Sequence, residues 1–161
     1  MSSVGSDSQQ WNCNGGVVTK HIDVNTNNTT YSYNDPLWRL TNVTNADGGS
    51  FTTVYNTGSS LPWTITTSWA IASGSPSVSS VSTLDGLARP VSTKTSDSNA
   101  SGGYSYTNTT FNNLGQVYSV SNPFFTTGYE TYGATAYAYD ALGRKIDTTY
   151  PSGSYENYSY N

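Results

Sequence analysis

Apolar and aromatic residues are spaced for β-strands rather than for helices along most of the chain. Two strand-length runs, 144–150 (RKIDTTY) and 154–160 (SYENYSY), are bounded by clusters of Gly, Pro, Ser and Asn, which are typical of turns. In the tripeptide YSY at 158–160 the two tyrosines point to the same face, because side chains alternate along a strand. No long stretch is rich in Ala, Leu, Glu and Lys at a 3.6-residue period, so the pattern predicts an all-β fold.

A short signature recurs along the chain, and it is complete in YDALGR at 139–144. It consists of an aromatic residue or Leu, then Asp or Asn, two variable residues, a small residue and an Arg-like position. Counting back from Arg144, that last position falls on Gln116, Arg89, Arg39 and Gly16. A recurring unit of this length predicts tandem supersecondary units stacked on their neighbours.

One interval in this series is twice as long as the others. Arg39 and Arg89 lie 50 residues apart, whereas the remaining intervals are 23 to 28 residues. Residues 54–60 (VYNTGSS) are therefore interpreted as the remnant of a copy that has lost its signature.

A second spacing supports the repeat. Nine residues separate the Arg-like position from a second turn cluster in three copies, at Gly16 and Asn25, Arg39 and Gly48, and Arg144 and Gly153. Two strands and two turns account for one unit. The pattern YSYN occurs at 31–34, where a signature follows, and again at 158–161. We therefore expect the array to be truncated, and the parent reading frame to continue beyond Asn161.

The chemistry of the signature suits a hairpin turn. The Asp140 carboxylate can accept hydrogen bonds from backbone N–H groups of the turn that follows it. Gly143 suits the positive φ that such turns require. Arg144 then returns within reach of Asp140, so an ion pair is predicted. Because the same pair recurs at Asp35 with Arg39 and at Asp85 with Arg89, a structural role is favoured over a catalytic one.

Composition excludes several classes of protein. Only 10% of the 161 residues are charged and the net charge is −4, so no basic surface for nucleic acid is expected. No apolar run approaches 18 residues, which predicts no membrane span, and the first ten residues do not resemble a signal peptide. The aromatic content of 14% argues for a folded chain, because disordered chains lack aromatic residues.

Candidate catalytic and metal-binding residues are sparse. His21 is the only histidine and Cys13 the only cysteine, so no nucleophile and base can be assembled from them. The segment DVNTN at 23–27 begins like a calcium loop, but Asn28 replaces the required Gly and Asn34 the bidentate Glu, which favours a simple turn. We therefore predict no enzymatic activity, no cofactor and no metal site.

The motif YAYDALGRKIDTTYPSG at 137–153 resembles the YD repeat of the Rhs (rearrangement hotspot) family. The resemblance extends over residues 11–161, which are assigned to the repeats, whereas residues 1–10 are expected to be poorly ordered. Departures occur at three positions: Asn34 and Leu84 replace the Tyr, Trp38 and Ala88 the Gly, and Gln116 and Gly16 the Arg. The residues assigned to the signature are Tyr139, Asp140, Gly143, Arg144, Asp35, Arg39, Asp85, Arg89, Asn112 and Gly115.

The resemblance implies both an architecture and a context. Rhs repeats stack as β-hairpins into a curled, open antiparallel sheet that forms a segment of a β-shell. In several bacterial members the shell encloses a toxic domain. The implied partners are neighbouring repeats of the same parent chain and an enclosed toxin domain, and the implied location is secreted or on the cell surface, within a larger protein.

A second function remains open from the residues alone. Exposed aromatic side chains beside Ser, Thr and Asn would suit a carbohydrate-binding or adhesive module that recognises surface glycans. The alternative is that these rings pack between neighbouring hairpins. The candidates for sugar stacking are Trp63, Trp69, Tyr104, Tyr106 and Tyr137.

Overall fold

The structure, a computed structural model, describes residues 5–100, 103–125 and 132–161. Every helix or strand that could be assigned within these ranges is a β-strand, which confirms the all-β prediction. The thirteen strands are β1 (Ser8–Asn12), β2 (Val17–Ile22), β3 (Asn28–Ser32), β4 (Asn42–Thr44), β5 (Ser50–Asn56), β6 (Trp63–Ala70), β7 (Val78–Leu84), β8 (Pro90–Ser96), β9 (Tyr104–Phe111), β10 (Val117–Ser121), β11 (Ala134–Tyr139), β12 (Lys145–Thr149) and β13 (Tyr155–Asn157).

The strands form an open sheet whose strand order is the order of the chain. Successive strands from β1 to β5 and from β8 to β13 pair antiparallel. In β11 and β12, for example, Ala136 lies opposite Thr149 and Ala138 opposite Asp147. Each strand therefore needs only a short connection to its partner, as the predicted succession of hairpins requires.

The chain divides into two compact units. The first comprises Met1–Thr57 with Ile65–Ser80, and the second comprises Gly58–Thr64 with Val81–Asn161. Strands β1 to β5 belong to the first unit, and strands β8 to β13 belong to the second. The weakest part of the repeat pattern, around residues 54–60, coincides with the boundary between Thr57 and Gly58.

The folded part begins earlier than the sequence indicated. Residues 1–10 were expected to be poorly ordered, but β1 already includes Ser8, which lies opposite Ile22 of β2. The hydroxyl of Thr19 also donates to the carbonyl of Gln10. Backbone pairing with β2 does not depend on apolar side chains, so the polar sequence of this segment concealed the strand. Residues 1–4 lie outside the described residues.

Few side chains of the described residues are deeply buried. The buried apolar residues are Leu84, Ala100 and Phe124, and none of the large side chains is completely enclosed. Contacts between adjacent hairpins, rather than a thick core, must therefore supply much of the stabilisation.

Candidate functional site: the contact between successive repeats

The signature forms one kind of hairpin turn. The Asp140 N–H donates to the carbonyl of Arg144 and the Gly143 N–H to the carbonyl of Asp140, both at 2.9 Å. Gly143 has a φ of 81°, which makes this a three-residue loop built from a type I turn followed by a left-handed residue. The same two hydrogen bonds and the same positive φ occur at 23–27, 45–49, 85–89, 112–116 and 150–154.

The left-handed conformation persists where the signature has lost its Gly. Trp38 and Ala88 replace Gly, yet their φ values are 55° and 60°. Each donates its N–H to the carbonyl of the Asp three residues earlier, at 3.0 Å. The turn therefore imposes the conformation on residues that would otherwise avoid it, at a cost of about 1–2 kcal/mol each.

The signature carboxylate organises the turn. Oδ1 of Asp140 accepts from the N–H groups of Leu142 and Arg144, both at 2.9 Å. These donors would otherwise lack a partner within the turn. The same side-chain oxygen accepts from the same two positions in the turns that begin at Asp35, Asp85 and Asn112.

The predicted ion pair forms in all three copies that contain it. The distances are 2.7 Å for Arg39 with Asp35, 2.6 Å for Arg89 with Asp85 and 2.7 Å for Arg144 with Asp140. In the fourth copy the pair is neutral, because the Asn112 amide donates to Oε1 of Gln116 at 2.7 Å. The turn therefore keeps its geometry when both charges are absent.

These contacts lower the pKa values of the signature carboxyl groups. The side-chain hydrogen bond from Arg39 lowers the pKa of Asp35 to about 2. The side-chain hydrogen bond from Arg89 likewise lowers the pKa of Asp85. For Asp140 the main cause of the lowered pKa is the backbone N–H of Arg144. All three groups are therefore held as carboxylates at neutral pH.

The turn at 23–27 was recognised in the sequence as a turn cluster, but not as a turn with the geometry of the signature. Asp23 accepts from the N–H groups of Asn25 and Asn27, both at 2.8 Å, and from the side-chain amide of Asn27 at 2.9 Å. Thr26 has a φ of 67°. The segment was interpreted as a simple turn rather than a calcium loop, because Asn28 and Asn34 replace the Gly and Glu of such a loop, and Asn27 stands where the signature has Arg. The signal that would have revealed it is Asp followed four residues later by a side-chain donor.

The signature aromatic residue makes a contact with the preceding copy of the signature. The Tyr139 hydroxyl donates to the carbonyl of Val117 at 2.8 Å, and Val117 directly follows the Arg-like position of the preceding copy. Tyr55 donates in the same way to the carbonyl of Leu40 at 3.3 Å, and Tyr160 to that of Lys145 at 2.8 Å. Leu40 and Lys145 likewise follow directly after Arg39 and Arg144.

Two of these rings, Tyr55 and Tyr160, and the ring of Phe111 also lie against signature guanidinium groups. The guanidinium carbon lies 3.9 Å from the ring centroid for Arg39 over Tyr55, 4.1 Å for Arg89 over Phe111 and 4.5 Å for Arg144 over Tyr160. Such stacking is favourable because the ring face is electronegative. Phe111 stacks in this way but lacks the hydroxyl that the three tyrosines use.

We call this stacking, the hydroxyl bond, or the two together the inter-repeat contact. It joins the Arg-like position of one signature to the aromatic residue that directly precedes Asp or Asn of the next, as in Tyr55–Asn56, Phe111–Asn112, Tyr139–Asp140 and Tyr160–Asn161. The acid or amide shapes the turn ahead, whereas the aromatic residue contacts the strand behind. The two adjacent residues of the motif therefore make contacts on opposite sides of the signature along the chain.

Most candidates for sugar stacking have partners within the protein. Tyr106 stacks on Phe124 with centroids 5.6 Å apart and lies 6.5 Å from Tyr104, which carries the Lys94 ammonium group 4.7 Å from its centroid. Tyr137 lies 5.6 Å from the Lys145 ammonium group.

The two tryptophans among the sugar-stacking candidates belong to different units. The Trp63 indole donates to the carbonyl of Gly58 in the second unit. Trp69 belongs to the first unit and is 37% exposed.

Other functional groups are scattered. The described residues contain no group of three or more His, Cys, Asp or Glu side chains arranged to hold a metal ion. His21 contacts Asp7 at 2.9 Å. Among the described residues, no helix has the length and apolar character needed to cross a membrane.

Comparison with known proteins supports the fold. No protein-family model and no curated protein matches the sequence. A solved structure, described as the crystal structure of TcdB2-TccC3, is similar over 98% of this chain, with a TM-score of 0.53 and 13% sequence identity. The match spans 12% of that chain. This likeness supports the YD- or Rhs-like β-sheet fold that the repeat signature predicts.

Proposed function

We propose that this chain is a wall segment of a larger Rhs-type repeat protein, whose sheet encloses a toxin domain. The inter-repeat contact carries the proposal. It occurs at Tyr55, Tyr139 and Tyr160 with the same donor and the same type of acceptor. A contact that depends only on the neighbouring repeat can be propagated to any number of repeats, as an extended wall requires.

The role proposed is mechanical and non-catalytic, in a protein that is secreted or exposed on the cell surface. The similarity in fold to TcdB2-TccC3, with this chain spanning 12% of that chain, supports membership of a much longer sheet. The partners are then neighbouring repeats of the parent chain, together with the enclosed domain. The low content of charged residues, 10%, suits surfaces that are largely covered by other parts of the same protein.

The test is the structure of the protein encoded by the complete reading frame that contains these residues. Electron microscopy of the purified protein should show a hollow particle. Limited proteolysis should leave the segment that follows the repeats protected. A reading frame that ends at Asn161, or a following segment that is cleaved as fast as an unfolded chain, would contradict the proposal.

Glycan-array binding of the same protein separates the wall from an adhesive module. We expect the Trp69→Ala variant to give the same glycan-binding signal as the unaltered protein. A signal that this variant loses would favour the adhesive module. Trp69 is the appropriate target because it is the most exposed of the five sugar-stacking candidates, at 37%.

A further inference from the structure

The third residue is an exposed leucine in the four signature turns that begin at Asp35, Asp85, Asn112 and Asp140, whereas it is Asn14 in the turn that begins at Asn12. The exposed fractions are 73% for Leu37, 74% for Leu87, 82% for Leu114 and 79% for Leu142. The turn uses only the backbone N–H of this residue, which donates to the signature Asp or Asn. The side chain therefore contributes little to the turn that carries it.

Turns at the other ends of the strands have polar residues at the same position. These residues are Asn25, Asp47, Asn99 and Ser152. In all four of those turns the side chain at the first or third position accepts a hydrogen bond from a nearby N–H, as Asp47 does from Gly49 at 2.8 Å. Leucine is thus not required by the geometry of the turn. Its recurrence at one end only indicates a surface selected for contact.

Four leucines form a row in the second unit, which we call the leucine ridge: Leu61, Leu87, Leu114 and Leu142. Leu61 Cδ1 lies 3.3 Å from the position that a Cβ atom on Gly86 would occupy. The side-chain amide of Gln116 reaches the carbonyl of Gly143 at 3.4 Å. The tips of successive signature turns are therefore adjacent, about 10 Å apart, or two strand spacings.

The ridge combines apolar area with balanced charge. Exposed fractions of 58% to 82% correspond to about 550 Å² of leucine surface, at the upper end of what a monomer normally exposes. The neighbouring charges are Asp85 with Arg89 and Asp140 with Arg144, which neutralise each other. The ridge therefore carries no net charge, although the whole chain has a net charge of −4.

We propose that the leucine ridge binds the leucine ridge of a second copy of this chain. A neutral apolar surface favours an identical partner, because it meets no like charge. A twofold axis between Leu87 and Leu114 would place each of these residues against the other in the partner, as a self-complementary interface requires. The two ridges would bury about 1,100 Å² together, which is less than the standard interface of about 1,600 Å². The dimer is therefore weak and reversible.

Sedimentation equilibrium of the 161-residue chain tests this proposal. The triple variant Leu87→Asn, Leu114→Asn, Leu142→Asn carries at these tips the residue found at Asn25 and Asn99. We expect its dimer dissociation constant to rise at least tenfold. The control is Ile71→Asn, which removes an aliphatic side chain that is 83% exposed and outside the ridge. A wild-type chain that remains monomeric at millimolar concentration, or equal association of all three proteins, would overturn the proposal.

Cysteine cross-linking gives a second readout that is independent of stability. Cys13 is exposed, so the variants are made in a Cys13→Ser background. With diamide as the oxidant, an equimolar mixture of Leu87→Cys and Leu114→Cys chains should form mixed disulfides at least tenfold faster than Leu87→Cys with Ser152→Cys. Equal rates for the two mixtures would place the contact elsewhere and contradict the ridge.

Discussion

Exchanging residues at the left-handed position of the signature turn should change stability in opposite directions in two copies. Ala88 adopts a φ of 60° and Gly143 a φ of 81°. A residue with a Cβ atom is strained by about 1–2 kcal/mol in this region, whereas Gly is not. Gly in turn costs about 0.4–1 kcal/mol more entropy on folding than Ala. Ala88→Gly is therefore expected to stabilise the fold by about 0.5–1 kcal/mol.

The reverse change at Gly143 should cost more. Its φ of 81° lies beyond the range of about 50–70° that L-residues tolerate. A Cβ atom there would also lie 3.2 Å from the side-chain nitrogen of Gln116. Gly143→Val is therefore expected to destabilise the fold by about 2 kcal/mol or more, because a branched side chain adds crowding to the strained backbone.

Urea unfolding followed by the fluorescence of the four tryptophans measures both changes as shifts of the midpoint. Gly58→Ala is the matched control, because it has no positive φ and a Cβ atom there would meet nothing within 4 Å. The free energy of unfolding calculated from its midpoint should change by less than about 0.5 kcal/mol. A loss of stability in Ala88→Gly, or a neutral Gly143→Val, would refute the account of the turn.

Two further predictions concern the signature side chains. The lowered folded-state pKa values of Asp35, Asp85 and Asp140 stabilise the fold above the unfolded value of 3.8. This stabilisation should be lost as the pH falls from about 4 towards 2, because the unfolded chain then binds more protons. Urea midpoints at pH 7 and pH 2.5 measure the loss. It should be smaller in Asp35→Asn with Arg39→Gln, and an equal loss would contradict the assignment. Asp23→Ala should lower the melting temperature more than Asn113→Ala, because Asp23 accepts three hydrogen bonds. Equal melting temperatures would show that the turn at 23–27 does not need its carboxylate.

The sequence was informative about features that lie within a few residues. The hairpin turns, the positive φ at Gly143 and the pairing of Asp140 with Arg144 all follow from side chains no more than four residues apart. The spacing of nine residues correctly indicated the turns around Gly48 and Gly153. Local chemistry is strong in these turns, so little tertiary context is needed to predict them.

The inter-repeat contact could not be predicted in the same way. The hydroxyl of Tyr139 and the carbonyl of Val117 are 22 residues apart, and their meeting depends on the register of β10 and β11. The exposure of Leu142 is likewise a property of the assembled sheet. An apolar residue between Asp and Gly gives no indication in the sequence of whether it is buried or exposed.

The contact between repeats is tested most directly by removing its hydroxyl where it occurs and adding one where it is missing. Tyr139→Phe should destabilise the fold by about 1 kcal/mol, because the carbonyl of Val117 loses a partner at 2.8 Å. Phe111→Tyr should stabilise it by up to about 1 kcal/mol, because the ring already lies under Arg89 and the new hydroxyl would reach the carbonyl of Pro90.

The control is Tyr137→Phe on the same strand, since the Tyr137 hydroxyl makes no hydrogen bond within the described part of the chain. The urea midpoint should therefore fall in Tyr139→Phe, rise in Phe111→Tyr and stay unchanged in Tyr137→Phe. A fall in all three, or no response to either Tyr139→Phe or Phe111→Tyr, would contradict the claim that the signature aromatic residue, where it is present, joins one repeat to the next.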